Sequence, residues 1–346
     1  MDRFRIICIS LALLMLMSIS GVSAHSPLFS GENERLENAM EVNEPTKSWA
    51  IYSVLHYGGE AQYYRLVMKE GEKIVISLIS PRASVEKGFL PSVAIMGPRL
   101  GSNDTLPSFV EKPVNADVRA IHGDPSSTIK FEPFTPAAFH EMAKVTVDVT
   151  VNGTYYVAVY DEGIGGNYGI AVGTRETFTA EEWLLIPFVS FRTYQWEGQS
   201  ALSVLAPSII AFIVSVGYGM WASRRRHIPI DGLCLLTVLS GSLMVATAAS
   251  ILYQMTWGLA QVGWDSFALV SVMFAAIPLI LGLMLIRIGL RDRRSHPFTS
   301  RTRLALMVIG ALGLLFWAGW IIGPILAMTS AIIPARWMKW PNKKIV

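Results

Sequence analysis

The sequence predicts an all-β extracytoplasmic domain, a sandwich or jelly roll, followed by a region of four transmembrane helices. Three features predict this order: an N-terminal secretory signal, eight short β-type runs separated by turn residues, and four long apolar runs after residue 200. The composition also favours a membrane protein, because 52% of the residues are hydrophobic, 16% are charged, and the mean hydropathy is +0.42.

The first 24 residues have the parts of a secretory signal. Arg3 and Arg5 precede an apolar stretch at 6–19, and small residues at 22–24 suit a signal peptidase. This apolar stretch is short compared with the roughly 20 residues that span a bilayer. We therefore expect cleavage directly after residue 24, with a retained membrane anchor as the alternative.

Residues 25–176 are predicted to form the β domain. Its β-type runs cover residues 50–55, 62–68, 73–80, 92–96, 128–132, 145–151, 154–160 and 168–172. Apolar and polar residues alternate in several of these runs, so one face of each should be buried. Asn152-Gly153 lies between two runs and is typical of a hairpin with a type I′ turn.

Two segments of this domain carry a family resemblance. Residues 60–80 read EAQYYRLVMKEGEKIVISLIS, and residues 152–173 read NGTYYVAVYDEGIGGNYGIAVG. Together they resemble the bacterial and archaeal pre-peptidase C-terminal domain. That resemblance implies a small β-sandwich that binds or stabilises and does not catalyse. The sequence departs from the family in a long insertion at about 97–143 and in lacking the usual acidic strand motif.

Residues 177–200 connect the two halves and are predicted to form an interfacial helix. Thr179 and Glu182 have the spacing of a capping box, so a helix should begin near Ala180 and break or kink near Pro187. Aromatic residues of the kind found at membrane interfaces follow: Trp183, Phe188, Phe191, Tyr194 and Trp196. The alternative is a plain stalk.

Each of the four apolar runs is long enough to cross about 30 Å of hydrocarbon as a helix. They cover residues 201–223, 231–253, 266–288 and 304–328, within a membrane region at 201–333. Arginine-rich loops follow the first and third runs, and the positive-inside rule places them on the cytoplasmic side of the plasma membrane. An even number of crossings leaves the basic tail at 334–346 outside, which opposes the same rule.

The predicted spans contain few groups that carry chemistry. They have no histidine, and their charged residues lie at span ends, so neither a haem site nor a proton relay is expected. Gly319 and Gly323 form a GxxxG pair that allows a second helix to approach closely. The arginine clusters are explained by their place beside the spans, so nucleic acid is not an expected partner.

A copper site is the sharpest chemical hypothesis. Cleavage after residue 24 makes His25 the mature N-terminus, and a terminal histidine offers its amine and imidazole to Cu(II). His56, His122 or His140 would supply the further imidazole. The alternative is that the first residue is histidine by chance and that the other three are surface or turn residues.

Two weaker hypotheses concern Ca²⁺ and glycosylation. Asp161, Glu162 and Asn167 flank a glycine-rich turn and offer oxygen ligands for Ca²⁺, although glycine-rich turns with acidic residues are common without an ion. Asn103 and Asn152 begin N-glycosylation patterns in the exported half.

Catalytic motifs are missing from the sequence. After signal cleavage the exported half has no cysteine, because Cys8 leaves with the signal and Cys234 lies in the second run, so disulfides are not expected. No G-x-S-x-G, H-E-x-x-H or Walker pattern occurs. The leading hypothesis is therefore a membrane-anchored cell-surface protein whose sandwich binds a ligand or a protein partner. A copper-handling protein and an accessory subunit of a transporter or channel are the alternatives.

Overall fold

The computed structural model describes residues 25–124, 126–292 and 298–334. The predicted signal at 1–24 and the basic tail from 335 onwards lie outside the described residues. The described chain forms a β region of eleven strands in two sheets, followed by helices.

The two sheets differ in size and in the order of their strands. The six-stranded sheet has the order β1 (Ser26–Phe29), β3 (Trp49–Leu55), β11 (Gly166–Val172), β5 (Lys73–Pro81), β9 (Ala137–Asp148) and β8 (Ile129–Glu132). The five-stranded sheet has the order β2 (Met40–Glu41), β4 (Glu60–Met68), β10 (Gly153–Asp161), β6 (Ser92–Gly97) and β7 (Asp117–Ile121). Neighbouring strands are antiparallel except in the pairs β1–β3 and β2–β4.

The inner faces of the two sheets form one hydrophobic core. Ile51 and Ile76 of the six-stranded sheet belong to the same buried cluster as Val93 and Val157 of the five-stranded sheet. Each such side chain contributes roughly 1.5–3 kcal/mol when it is fully buried. The alternation predicted for β5 is confirmed at its start, where the exposed Lys73 precedes a buried residue. This arrangement confirms the predicted two-sheet β domain.

The predicted Asn-Gly hairpin is wrong. β9 and β10, the strands on either side of Asn152, belong to different sheets and do not pair. Neither Asn152 nor Gly153 has a positive φ, as a type I′ turn would require. The side-chain oxygen of Asn152 instead accepts the backbone N–H of Glu70 at 2.7 Å. Asn-Gly therefore serves here in a connection that passes from one sheet to the other.

The eight predicted runs all coincide with strands, while β1, β2 and β7 were not predicted. The predicted insertion at 97–143 contains β7, β8 and the beginning of β9. The connection from β6 to β7 covers the outer face of the five-stranded sheet, where Val110 joins a second buried cluster with Tyr63 and Tyr160.

Seven α-helices are described. They are α1 (Arg82–Val85), α2 (Ala180–Trp196), α3 (Ala201–Arg225), α4 (Gly232–Val262), α5 (Ala268–Gly289), α6 (Ser300–Leu315) and α7 (Ile322–Ile332). Among the described residues, α3, α4 and α5 are long and apolar enough to cross a membrane, by length and composition. The helix predicted near Ala180 begins there, with both capping-box hydrogen bonds between Thr179 and Glu182. It continues through Pro187, so the helix is not broken there, and the kink stays a prediction.

The second predicted span is longer than the sequence suggested. Residues 254–262, which lie between the second and third predicted spans, continue α4 to Val262, and Gly263, with a φ of +87°, ends the helix. This extension contacts the sandwich, because the Cα of Gly258 lies close to the ring of Phe131. The end of α4 is therefore packed against the sandwich.

The fourth predicted span is two helices and not one. α6 ends at Leu315, and α7 begins at Ile322 after a turn with left-handed residues at Trp317, Gly319 and Trp320. Hydropathy alone does not reveal this break, because the residues before it, 304–315, and after it, 322–328, are almost all apolar. Gly319 therefore lies in the turn and Gly323 in the first turn of α7, and a Cβ on either would contact Leu243 of α4.

Candidate binding site at the junction of the sandwich and the helices

A cavity of about 440 Å³ lies between the outer face of the six-stranded sheet and helix α2. The turn between α6 and α7 also contributes to its wall through Trp317. The cavity therefore lies where the β region meets the helical region.

The cavity wall follows from the periods of the elements that form it. Side chains of one strand point alternately to opposite faces, so every second residue of β3, β5, β9 and β11 points outward. On these strands the lining residues are Ala50, Tyr52, Val75, Ser77, Ile79, Phe139, Glu141, Lys144 and Ala171. One face of α2 supplies the opposite wall, at Trp183, Ile186, Ser190 and Thr193. Most of these side chains are small, apolar or aromatic.

Polar contacts hold α2 against the sheet at both ends. At the first end, the ammonium group of Lys47 lies 2.6 Å from a carboxylate oxygen of Glu182, and the Lys47 side chain is only 6% exposed. At the other end, the indole N–H of Trp196 is directed at the carbonyl oxygens of Ser53 and Tyr168, at 3.2 and 3.0 Å. The middle of α2 stands over the cavity between these two attachments.

Aromatic rings line the side of the cavity that faces the helices. Trp183 and Trp317 have ring centroids 4.3 Å apart, and the indole N–H of Trp317 donates to the carbonyl oxygen of Trp183 at 2.7 Å. Phe134 contacts Phe274 of α5 at 4.8 Å, and Phe274 in turn contacts Phe316 at 6.5 Å. These rings connect the cavity wall with α5 and with the turn after α6.

The charged residues of the cavity wall lie on β8 and β9. Lys130 forms an ion pair with Glu141, and the exposed Lys144 lies further along β9. Burial raises the pKa of Glu132, which also lines the cavity, to about 7. The cavity wall thus combines aromatic and apolar side chains with a few charged groups, a composition that suits a molecule with an apolar body and a polar group.

A second buried carboxyl group lies where α2 ends. Glu197 accepts the backbone N–H of Ala138 at 2.7 Å and a weaker hydrogen bond from Gln199 at 3.3 Å. Burial raises the pKa of Glu197 to about 7. Gln199 also donates to Gln254 of α4 at 2.7 Å, so this polar group links β9, α2 and α4.

The fold keeps the four histidines of the copper hypothesis apart. His25 precedes β1 and His56 follows β3, so about seven residues of paired strand, roughly 20 Å, separate them. His140 lies on β9, four strand spacings or about 19 Å from β1. His122 follows β7 in the other sheet. The copper site stays a prediction, and in the described part of the chain none of His56, His122 and His140 lies beside His25.

Each of these histidines has a hydrogen-bonding partner of its own. His25 lies 2.5 Å from the hydroxyl of Ser48, and burial lowers the pKa of its imidazole. The partners of the other three are a carboxylate and two hydroxyls, in the pairs His56–Glu60, His122–Ser92 and His140–Ser127. Within the described residues, one group of three potential metal ligands has its donor atoms within 4.8 Å of one another, and it consists of Glu34, His56 and Glu60.

The residues of the calcium hypothesis have other contacts. One carboxylate oxygen of Asp161 accepts the backbone N–H groups of Gly163, Ile164 and Gly165 at 2.9–3.2 Å. Asn167 donates to the carbonyl oxygen of Trp196 at 2.6 Å, and Glu162 is exposed. The structure therefore uses Asp161 to hold the glycine-rich turn, and the calcium site stays a prediction.

The two predicted glycosylation sites are both on the surface. Asn103 and Asn152 are exposed, although the side chain of Asn152 is hydrogen-bonded to the backbone of Glu70. Asn103, which has no such bond among those described, is the better candidate of the two.

No motif in the sequence marks the cavity residues as a site. The sequence feature that could have revealed the cavity lies on the outward faces of β3 and β11. There Ala50 and Ala171 occupy positions that a solvated strand usually fills with polar residues. Lys47 and Glu197 gave no signal, because their partners are distant in the sequence.

Comparisons with known proteins add little to this description. No family model matches the chain, and no curated protein matches it. Among solved structures, the chain is similar to PliG of Aeromonas hydrophila, a periplasmic inhibitor of g-type lysozyme, with 12% identity and a TM-score of 0.23 over 42% of this chain and 97% of that one. It is also similar to CorA of Methylomicrobium album BG8, a surface-associated copper-binding protein, with 12% identity and a TM-score of 0.20 over 44% of this chain and all of that one. Similarity at this level carries no argument about function.

Proposed function

We propose that this protein is a multi-pass plasma-membrane protein whose extracytoplasmic sandwich binds a membrane lipid in the junction cavity. The observation that carries the proposal is the position of the cavity, between the six-stranded sheet and the helix that leads into the membrane region. The sandwich is the binding part, and the helices anchor it.

The orientation rests on charge and on aromatic residues. Arg224, Arg225 and Arg226 lie at the end of α3 that is distant in sequence from the sandwich, which supports a cytoplasmic position for that end. Trp183 and Trp317 lie between the sandwich and the helices, where interfacial aromatic residues are expected. In this orientation the cavity lies at the outer surface of the membrane.

The chemistry of the wall selects an amphipathic ligand. A volume of about 440 Å³ is within the range of small-molecule sites, which are mostly apolar with a few polar groups. Trp183, Ile186 and Phe134 suit a hydrocarbon chain, while Lys130 and Lys144 suit a polar headgroup. The adjacent bilayer is the nearest source of such a molecule.

The test is binding of a fluorescent phospholipid to the full-length protein in detergent, with an Ala171→Trp variant that fills the cavity. We expect binding at least ten-fold weaker in this variant, since the indole occupies the space of the chain. Thr146→Trp is the matched control, because Thr146 is exposed on the outer face of β9 and does not line the cavity. Equal binding by both variants would show that the cavity is not the site.

A further inference from the structure

Helices α6 and α7 pack against each other as an antiparallel hairpin. A Cβ on Gly310, in the middle of α6, would lie 2.5 Å from the side chain of Met328, and one on Gly313 would lie 3.0 Å from Pro324. Residues later in α6 therefore contact residues earlier in α7, so the two helices run in opposite directions. The two glycines allow the helices to approach closely.

Arg303 joins the open ends of this hairpin. Its guanidinium group donates to the carbonyl oxygens of Ala331 and Ile333, at 2.5 and 3.3 Å. These carbonyls belong to the last turn of α7 and to the residue that follows it, where backbone oxygens lack helical partners. A cation at this position also interacts favourably with the helix dipole. The first turn of α6 and the last turn of α7 thus lie side by side.

The closed end of the hairpin lies beside the sandwich. Trp317 contacts Trp183, and Trp320 contacts Phe188 with ring centroids 5.8 Å apart, so the turn meets α2. This turn is the part of the hairpin that contributes to the cavity wall.

The open end lies beside the opposite ends of α4 and α5. The backbone N–H of Gly319 donates to the hydroxyl of Thr247, and the hydroxyl of Ser240 donates to the carbonyl oxygen of Gly323, so α7 runs antiparallel to α4 and ends near Leu233 at the start of α4. The end of α5 lies at the same place, because a Cβ on Gly289 would contact Thr237 of α4. Leu233 follows shortly after the arginines at 224–226, and the arginine-rich segment after α5 begins at Arg291. The chain therefore leaves α7 near the arginine-rich segments and away from the sandwich.

We infer that α6 and α7 cross the membrane and return, so that the chain has five crossings and its C-terminal tail lies on the same side as the arginine-rich loops. α6 is about 24 Å long and α7 about 17 Å at 1.5 Å per residue, so the hairpin reaches across much of the hydrocarbon layer. The aromatic residues of the turn lie at one boundary of the hydrocarbon layer, and the guanidinium group of Arg303 lies at the other.

This arrangement removes the conflict in the four-span prediction. The tail contains Arg336, Lys339, Lys343 and Lys344, which an even number of crossings leaves outside. With five crossings these residues join the other arginine-rich segments on the cytoplasmic side, as the positive-inside rule requires. The contacts of the hairpin and the charge of the tail are independent observations that agree.

The test is labelling of single cysteines by a membrane-impermeant maleimide, in the full-length protein in its own cell membrane. Asn342→Cys reports on the tail, Arg226→Cys on the loop after α3, and Asp148→Cys on the sandwich. The parent carries Cys234→Ala. We expect Asn342→Cys to behave as Arg226→Cys does, with labelling at least ten-fold lower in intact cells than in permeabilised cells, while Asp148→Cys is labelled in both.

Labelling of Asn342→Cys in intact cells to the extent of Asp148→Cys would overturn the inference. Because the comparison is between cysteines, the result does not depend on which face is cytoplasmic. It is also independent of the proposed function, since lipid binding by the cavity is measured in detergent. A protein that binds lipid with its tail outside would retain the proposed function and lose only the fifth crossing.

Discussion

The two sheets of the sandwich both have a covered outer face, but the covers differ. The five-stranded sheet is covered by its own connection between β6 and β7, and there Tyr63, Tyr160 and Val110 are buried. The six-stranded sheet is covered by α2, which belongs to the next part of the chain, and it has the cavity of about 440 Å³.

The difference lies in how each cover is attached. The β6–β7 connection is anchored in the middle of the sheet, because Tyr63 accepts a hydrogen bond from the backbone of Glu111 and Tyr160 contacts Phe109. α2 is attached by Glu182 near one end and Trp196 at the other. A cover held only at its ends leaves space beneath it. The comparison thus teaches that the candidate site arises from how two regions are joined.

Loss of the Trp196 attachment should have the largest effect on this difference. We expect Trp196→Ala to weaken docking of α2 by roughly 3–5 kcal/mol, the usual cost of truncating a buried tryptophan. The indole is 7% exposed, stacks edge-on with Tyr52 at 4.9 Å, and directs its N–H at two carbonyl oxygens. Hydrogen exchange of α2 amides is the measurement.

The β6–β7 connection provides the internal reference for that experiment. Exchange in residues 104–111 should stay as in the parent, because this segment covers the other sheet. Trp264→Ala, in which the lost side chain is 79% exposed, should leave both segments unchanged. Equal loss of protection in both segments would mean that the covers are not independent.

A smaller effect is expected from pH. Burial raises the pKa of Glu197 from an ordinary 4.5 to about 7, so the folded protein binds this proton more tightly than the unfolded chain does. The resulting stabilisation is complete below pH 4.5 and is lost as the pH rises through 7, up to about 3 kcal/mol at 1.36 kcal/mol per pKa unit.

Thermal unfolding at pH 5.5 and 8.5 checks this expectation. The parent should melt at a lower temperature at the higher pH, and Glu197→Gln should reduce the difference because its amide stays neutral. Glu132, whose pKa burial also raises to about 7, accounts for the part that remains. A melting temperature that is the same at both values in the parent would contradict the assignment.

The sequence predicted the strands well because their period and turn residues are local. β3, β5 and β10 have enough β-branched and aromatic residues to be recognised without knowledge of their neighbours. Strand pairing depends on distant contacts, so Asn152-Gly153 was assigned to the wrong connection. Hydropathy also did not detect the break after Leu315, because an apolar hairpin and one long span have similar composition.

The candidate site was beyond sequence analysis for a related reason. The cavity needs apolar residues on the outward faces of several strands, and each strand shows only a few of them. Lys47 and Glu182 are 135 residues apart, so no local pattern connects them. The sequence did identify Trp183 as part of an aromatic segment, since such clusters are recognisable by composition.

The smallest expected effect concerns the cover of the five-stranded sheet. Tyr63 is fully buried, and its hydroxyl accepts the backbone N–H of Glu111 at 2.6 Å. Tyr63→Phe keeps the ring and removes this acceptor, so we expect a loss of about 1 kcal/mol in stability. Faster exchange should appear in residues 104–111 and not in α2. Tyr57→Phe is the matched control, because Tyr57 is 63% exposed and water replaces its hydrogen bonds. If Tyr63→Phe also loosened α2, the two outer faces would be coupled through the core, and the cavity would depend on both covers.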